Sequence, residues 1–158
     1  MEYKNILAID PGLHTGLAYF PGKTIVPETM DFNVDYKART TAEKLNSLIG
    51  KLSLIWNDSS KYIEHVVIEG VSIYSGSVKS MTAATRGNLS LLSYIVGAYY
   101  CHFISFGCEI DVISPQWKGQ LNYNALDEWV YQINGQHYKS EHIRAAAGLG
   151  LWKKGLIK

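Results

Sequence analysis

The chain has 158 residues, 47% of them hydrophobic, with 15 Lys and Arg against 14 Asp and Glu for a net charge of +1. That length predicts one domain with a sizeable core, residues 1–158 forming a single unit. Near-neutral charge argues against a partner bound only by bulk electrostatics, the two cysteines (Cys101 and Cys108) form no zinc-ligand spacing, and no signal peptide or membrane span is readable.

Residues 4–10, 15–20 and 24–31 read as three consecutive strands joined by Pro/Gly turns, with Pro21-Gly22 marking a hairpin. The first is the most informative. Ile6-Leu7-Ala8-Ile9 is a buried apolar run that ends in Asp10, and Pro11-Gly12 then turns the chain. A carboxylate at the end of an apolar strand is costly to bury unless a cation meets it. An isolated Asp-Pro-Gly is ordinary turn chemistry. The same design recurs, however, at Val66-Val67-Ile68-Glu69-Gly70 in a strand over 64–69. Two strands that deliver carboxylates to one point predict a divalent-cation site suited to phosphate-ester chemistry.

Between them, Ala42, Leu45, Leu48, Ile49, Leu52 and Ile55 recur at helical spacing, predicting an amphipathic helix over 38–57. A loop with Ile73 and Tyr74 among small polar residues leads to a long helix over 78–105. Its Leu91–Tyr99 stretch is apolar around most of the helix, which predicts burial in the core and against a partner subunit. A strand over 109–113 follows, then Ser114-Pro115 with a capping serine and a first-turn proline, a helix over 124–135, and a last helix over 141–153 capped by Ser140. No acidic residue lies between Gly70 and Cys108, and the tail carries Lys139, Arg144, Lys153, Lys154 and Lys158 against Glu141. This predicts a weakly positive face near the carboxylates.

Asp10-Pro11-Gly12 with Thr15-Gly16, the Ile68-Glu69 strand end, Arg86-Gly87, Pro115-x-Trp117-Lys118 and the small-residue final helix together resemble the RuvC group of Holliday-junction resolvases, shorter phage members especially. The resemblance implies an α/β, RNase H-like fold with a five-stranded mixed sheet flanked by helices. It further implies a homodimer acting on four-way or branched DNA, and two Mg²⁺ ions (Mn²⁺ as substitute) that support phosphodiester hydrolysis. By analogy with that group the setting is a bacterial or phage-infected cytoplasm. Carried over by position, Asp10 and Glu69 are the first two ligands and His142 stands at the third. The final aspartate is replaced by Ala145, whose methyl group binds no metal. Three readings of Ala145 stay open: an introduced change that silences cleavage, a natural loss, or a register in which Glu141, one turn earlier, is the ligand. Against branched DNA, Ile73 and Tyr74 are expected to wedge into or stack on bases and Lys79, Arg86, Lys139 and Arg144 to meet phosphates, while the resemblance puts Trp117 and Lys118 near the scissile phosphate. Two alternatives stand beside the resolvase reading: a non-catalytic branched-DNA-binding module, and an RNase H-like nuclease on RNA or RNA–DNA hybrid.

Overall fold

A computed structural model of the protein describes residues 4–56, 62–71, 88–118 and 123–157. Five strands, β1 (Ile6–Asp10), β2 (His14–Phe20), β3 (Glu28–Asn33), β4 (His65–Glu69) and β5 (Glu109–Ile113), form one sheet in the order β3-β2-β1-β4-β5. β1 pairs antiparallel with β2 and parallel with β4, so the sheet is mixed, as the resemblance implied. The helices are α1 (Thr41–Trp56), α2 (Asn88–Ile104), α3 (Tyr123–Asn134) and α4 (Glu141–Lys153), with a short 3-10 turn at Pro115–Lys118.

Strand alternation divides the apolar residues into two cores. Leu7, Ile9, Leu17, Val66 and Ile68 face one way and pack with Leu48 and Leu52 of α1 and with Ile95, Tyr99 and Phe103 of α2. Ile6, Ala8, Ala18, Phe20 and Val67 face the other way, against Leu126 and Val130 of α3 and Ala146, Ala147, Leu149 and Leu151 of α4. Small residues let α4 lie close on the sheet. A Cβ on Gly148, for example, would stand 2.7 Å from a Leu126 methyl and 3.1 Å from the Trp117 ring.

The element boundaries differ from the predicted ones in two instructive places. The third strand begins at Glu28, not at 24. Thr24 closes a turn onto the Pro21 carbonyl at 3.1 Å, and Pro27 has no N–H to give a ladder. The β-branched Ile25 and Val26 therefore stay exposed. The first helix begins at Thr41 because Thr40 and Glu43 form a reciprocal cap: Glu43 N donates to Thr40 Oγ1 at 3.2 Å, and Thr40 N donates to Glu43 Oε2 at 2.9 Å. The part of the predicted 78–105 helix before Asn88 lies outside the described residues.

Candidate functional site

The same alternation places the chemistry. Asp10 shares its face of β1 with Ile6 and Ala8, and Glu69 shares its face of β4 with Val67. Both carboxylates therefore project on the α4 side of the sheet, at the carboxyl ends of neighbouring parallel strands. Open α/β sheets bind ligands at such strand ends. Helix α4 crosses the sheet with its N-terminus at this end. Ser140 caps it by accepting from Ile143 N at 3.4 Å, and the first turn carries Glu141 and His142.

The first contact is made by His142, whose Nδ1 donates to Asp10 Oδ2 at 2.8 Å. That bond, the nearby charge of Asp10 and the charge of Glu141 raise the His142 pKa against the opposing effect of burial. Glu141 is exposed, and its carboxylate lies 3.7 Å from His142 Nε2. Ala145 is only 1% exposed, with its methyl group inside the protein.

Glu69 is held from the other side. Its two oxygens accept separate bonds, Oε2 from Trp117 Nε1 and Oε1 from Lys118 Nζ, both at 2.9 Å. The 3-10 turn that begins at Pro115 supplies both donors. Burial nevertheless raises the Glu69 pKa, and the Asp10 charge adds to the rise. The Lys118 ammonium and the two hydrogen bonds offset this only in part.

Two residues absent from the predicted set join the cluster. His14, at the start of β2, bonds Asp31 of β3 through Nε2 at 2.8 Å, and its ring packs on the His142 ring with centroids 4.4 Å apart, tilted by 41°. Asp31 stands directly across from Gly16, so their side-chain directions share one face, the α4 face. Only the strand register puts Asp31 there, and nothing local in the sequence marks it. Behind the turn, Thr15 Oγ1 donates to the Gly12 carbonyl at 2.9 Å and accepts from the buried Tyr99 hydroxyl at 2.7 Å. The turn that presents Asp10 is thereby tied to α2.

Other predicted contacts fall elsewhere. Arg144 turns inward: its guanidinium meets Asp127 at 3.1 Å and donates to the Tyr138 carbonyl at 2.9 Å. Lys139 is exposed beside the α4 cap. Ile73, Tyr74, Lys79 and Arg86 lie outside the described residues.

Asp10 and Glu69 offer hard carboxylate oxygens, the donor type for Mg²⁺. Among the described residues no group of three or more His, Cys, Asp or Glu side chains is arranged to hold a metal ion. The two carboxylates of Asp10 and Glu69, at the ends of neighbouring strands, are the residues that would hold a hard cation. No described helix is long and apolar enough to cross a membrane.

No protein-family model matches the chain, and no curated protein does. Among solved structures, T. thermophilus RuvC in complex with a Holliday junction substrate superposes with a TM-score of 0.67 at 15% identity, over 97% of this chain and 98% of that one. The order of elements, the mixed sheet and the end-to-end coverage agree, and the chain has the RuvC-like variant of the RNase H fold.

Proposed function

We propose that this protein is a nuclease-fold protein for branched DNA, a metal-dependent endonuclease of the junction-resolving kind acting as a single domain, with catalysis weakened in this chain at Ala145. One observation carries the reading. Asp10, Glu69 and His142 converge at the carboxyl ends of β1 and β4, in a fold shared along its whole length with a protein bound to a Holliday junction.

Asp10 and Glu69 would hold a divalent cation, which when bound supplies a Lewis acid for the phosphate and a water of lowered pKa. Trp117 and Lys118 aim the Glu69 carboxylate, and His142 aims that of Asp10. The Lys118 ammonium, already beside the carboxylates, is placed to neutralise a phosphate oxygen that arrives there. Lys139 extends the cationic rim, and Ile73, Tyr74, Lys79 and Arg86 complete the DNA contacts. Arg144 and the Trp117 N–H instead serve the protein's own scaffold.

A homodimer suits a four-way substrate, since two equivalent sites can cut two equivalent strands. The exposed face of α2, with Tyr94, Gly97, Cys101 and Ile104, supports that assembly. A cytoplasmic setting follows from the same reading.

The deciding test is cleavage of a synthetic four-way junction in Mg²⁺ or Mn²⁺. It compares this chain, Ala145→Asp, and Ala145→Asp combined with Asp10→Asn. Paired nicks that leave 5′-phosphate and 3′-hydroxyl ends with Ala145→Asp, and that disappear in the double variant, are expected. The buried Ala145 methyl favours the second reading, a non-catalytic module for branched DNA. Junction binding without cleavage by all three proteins would establish that one instead.

A further inference from the structure

The edge strand β3 contributes no residue to the carboxylate pair, yet it is linked to the site at two points. Asp31 accepts from His14 Nε2 at 2.8 Å and from the Ser140 hydroxyl that caps α4. His14 in turn packs on the ring of His142, which donates to Asp10. The backbone beneath is equally tight, because a Cβ on Gly16, across from Asp31, would lie 2.2 Å from the His142 carbonyl oxygen. The start of α4 is thus pressed onto β2 at a residue with no side chain, and one carboxylate fastens both its cap and the aromatic neighbour of its histidine.

We infer that Asp31 and His14 are positioning residues that set the plane of the His142 ring, so that Nδ1 faces Asp10 while Nε2 lies toward the exposed Glu141 carboxylate. An imidazole on the first turn of a helix has more than one rotamer open to it, and a ring packed on its face selects among them. His14 supplies that face, and Asp31 keeps His14 from rotating away. The arrangement matches the outer partners of metal-site histidines, whose loss typically lowers affinity or activity about 10–100-fold. The inference rests on the reading of Asp10, Glu69 and His142 as the site, but the orientation itself is measurable without any reaction.

Long-range ¹H–¹⁵N and NOE spectra of the histidine rings at one fixed pH, on the whole chain without DNA, test it. The unaltered protein is expected to show His14–His142 ring NOEs and a His142 Nδ1 signal displaced by its bond to Asp10. Asp31→Ala and His14→Ala should abolish the NOE or average the Nδ1 signal. His14→Phe, which keeps an aromatic face but loses the Asp31 bond, should restore the His142 signal in part. Asp111→Ala, which breaks a comparable ion pair with His65 and Lys153 at the far end of α4, should leave it in place. With Ala145→Asp as the background, Asp31→Ala should lower kcat for junction cleavage by about 10–100-fold with KM little changed. A His142 signal that stays put in Asp31→Ala and His14→Ala overturns the inference, whatever the cleavage result. A signal that moves equally in Asp111→Ala reduces it to general loosening of the fold and overturns it as well. Absence of cleavage in the background protein tells against the nuclease reading alone.

Discussion

Removing the charge of Glu69 should make the metal-free protein more stable. In Glu69→Gln the shape is kept and the ionised oxygen is lost. Burial and the Asp10 charge disfavour the ionised form of the native carboxylate, while the Lys118 charge and the bonds from Lys118 and Trp117 favour it, and the net result is a raised pKa. For a carboxyl group whose folded pKa exceeds its unfolded one, the folded state is penalised once the pH passes the unfolded value. Stability present below about 4.5 is therefore lost as the pH rises through the folded pKa. Glutamine escapes that penalty. It retains one acceptor oxygen, so one of the two bonds from Trp117 and Lys118 is given up together with the charge opposite Lys118, a loss of about 1.5–3 kcal/mol for a charge-assisted bond. Desolvation of a largely buried carboxylate costs more, several kcal/mol. The raised pKa gives the balance its sign, a gain, expected within the range of common stabilising substitutions, about 0.5–2 kcal/mol, or a Tm rise of roughly 1–8 °C for a chain of this size. Thermal unfolding in EDTA at pH 7.5 and at pH 4 measures it. The rise should be present at the higher pH and shrink toward zero at the lower one. A Tm that falls at pH 7.5, or a change of equal size at both values, would falsify the claim that Glu69 is held ionised at the expense of stability.

Two further predictions concern packing. Gly16→Ala places a methyl carbon 2.2 Å from the His142 carbonyl oxygen, so α4 must lift from β2. The cost should be about 1–3 kcal/mol in chemical denaturation, with disturbed His142 signals, and a neutral outcome would mean α4 is not seated as described. A Cβ at Gly97 of α2 meets nothing within 4 Å among the described residues, so Gly97→Arg should leave the monomer's fold intact while shifting sedimentation to the monomer. A dimer that survives the arginine removes this face of α2 from the interface.

Much of the fold was legible because it depends on local pattern. The apolar runs that end in Asp10 and Glu69 are strands β1 and β4, and both carboxylates stand where the alternation puts them. His142 was legible only through its register in the small-residue helix, and it does reach Asp10. Misreadings came where a local signal competed with another. Ile25 and Val26 have strong β propensity, but the turn at Pro21–Thr24 and the missing N–H of Pro27 prevail. The Thr40-x-x-Glu43 cap was present in the sequence and marks the start of α1 better than the apolar period does. What stayed hidden is long-range. Asp31 meets His14 because β3 pairs with β2 in one register, and a slip of one residue would turn it to the other face. Arg144, read as a DNA contact from charge alone, has a partner in Asp127 that only the packing of α3 on α4 reveals.

The charges at the site point to a final prediction, that cation binding competes with a proton on His142. Asp10 pairs with His142 and Glu69 with Lys118, and the carboxylates of Glu141 and Asp31 also act on His142. With His142 protonated, Asp10 and Glu69 each have a cationic partner before any ion is added. An entering cation must take Asp10 from His142, so its affinity depends on what that contact is worth. Asp10 raises the His142 pKa above its ordinary 6.5. The protonated pair therefore contributes stability that is fully present below 6.5 and lost as the pH rises through the folded value. Mg²⁺ should bind more weakly in the lower range and more tightly above it. The Tm increase given by Mg²⁺, about 2.7 kcal/mol in free energy at one hundred times Kd, measures this at a series of pH values. The increase should grow with pH in the unaltered chain, flatten in His142→Asn, and vanish in Asp10→Asn. A pH profile that is the same with and without the imidazole would show that His142 and the cation do not share Asp10, and the site would have to be built around Glu69 instead.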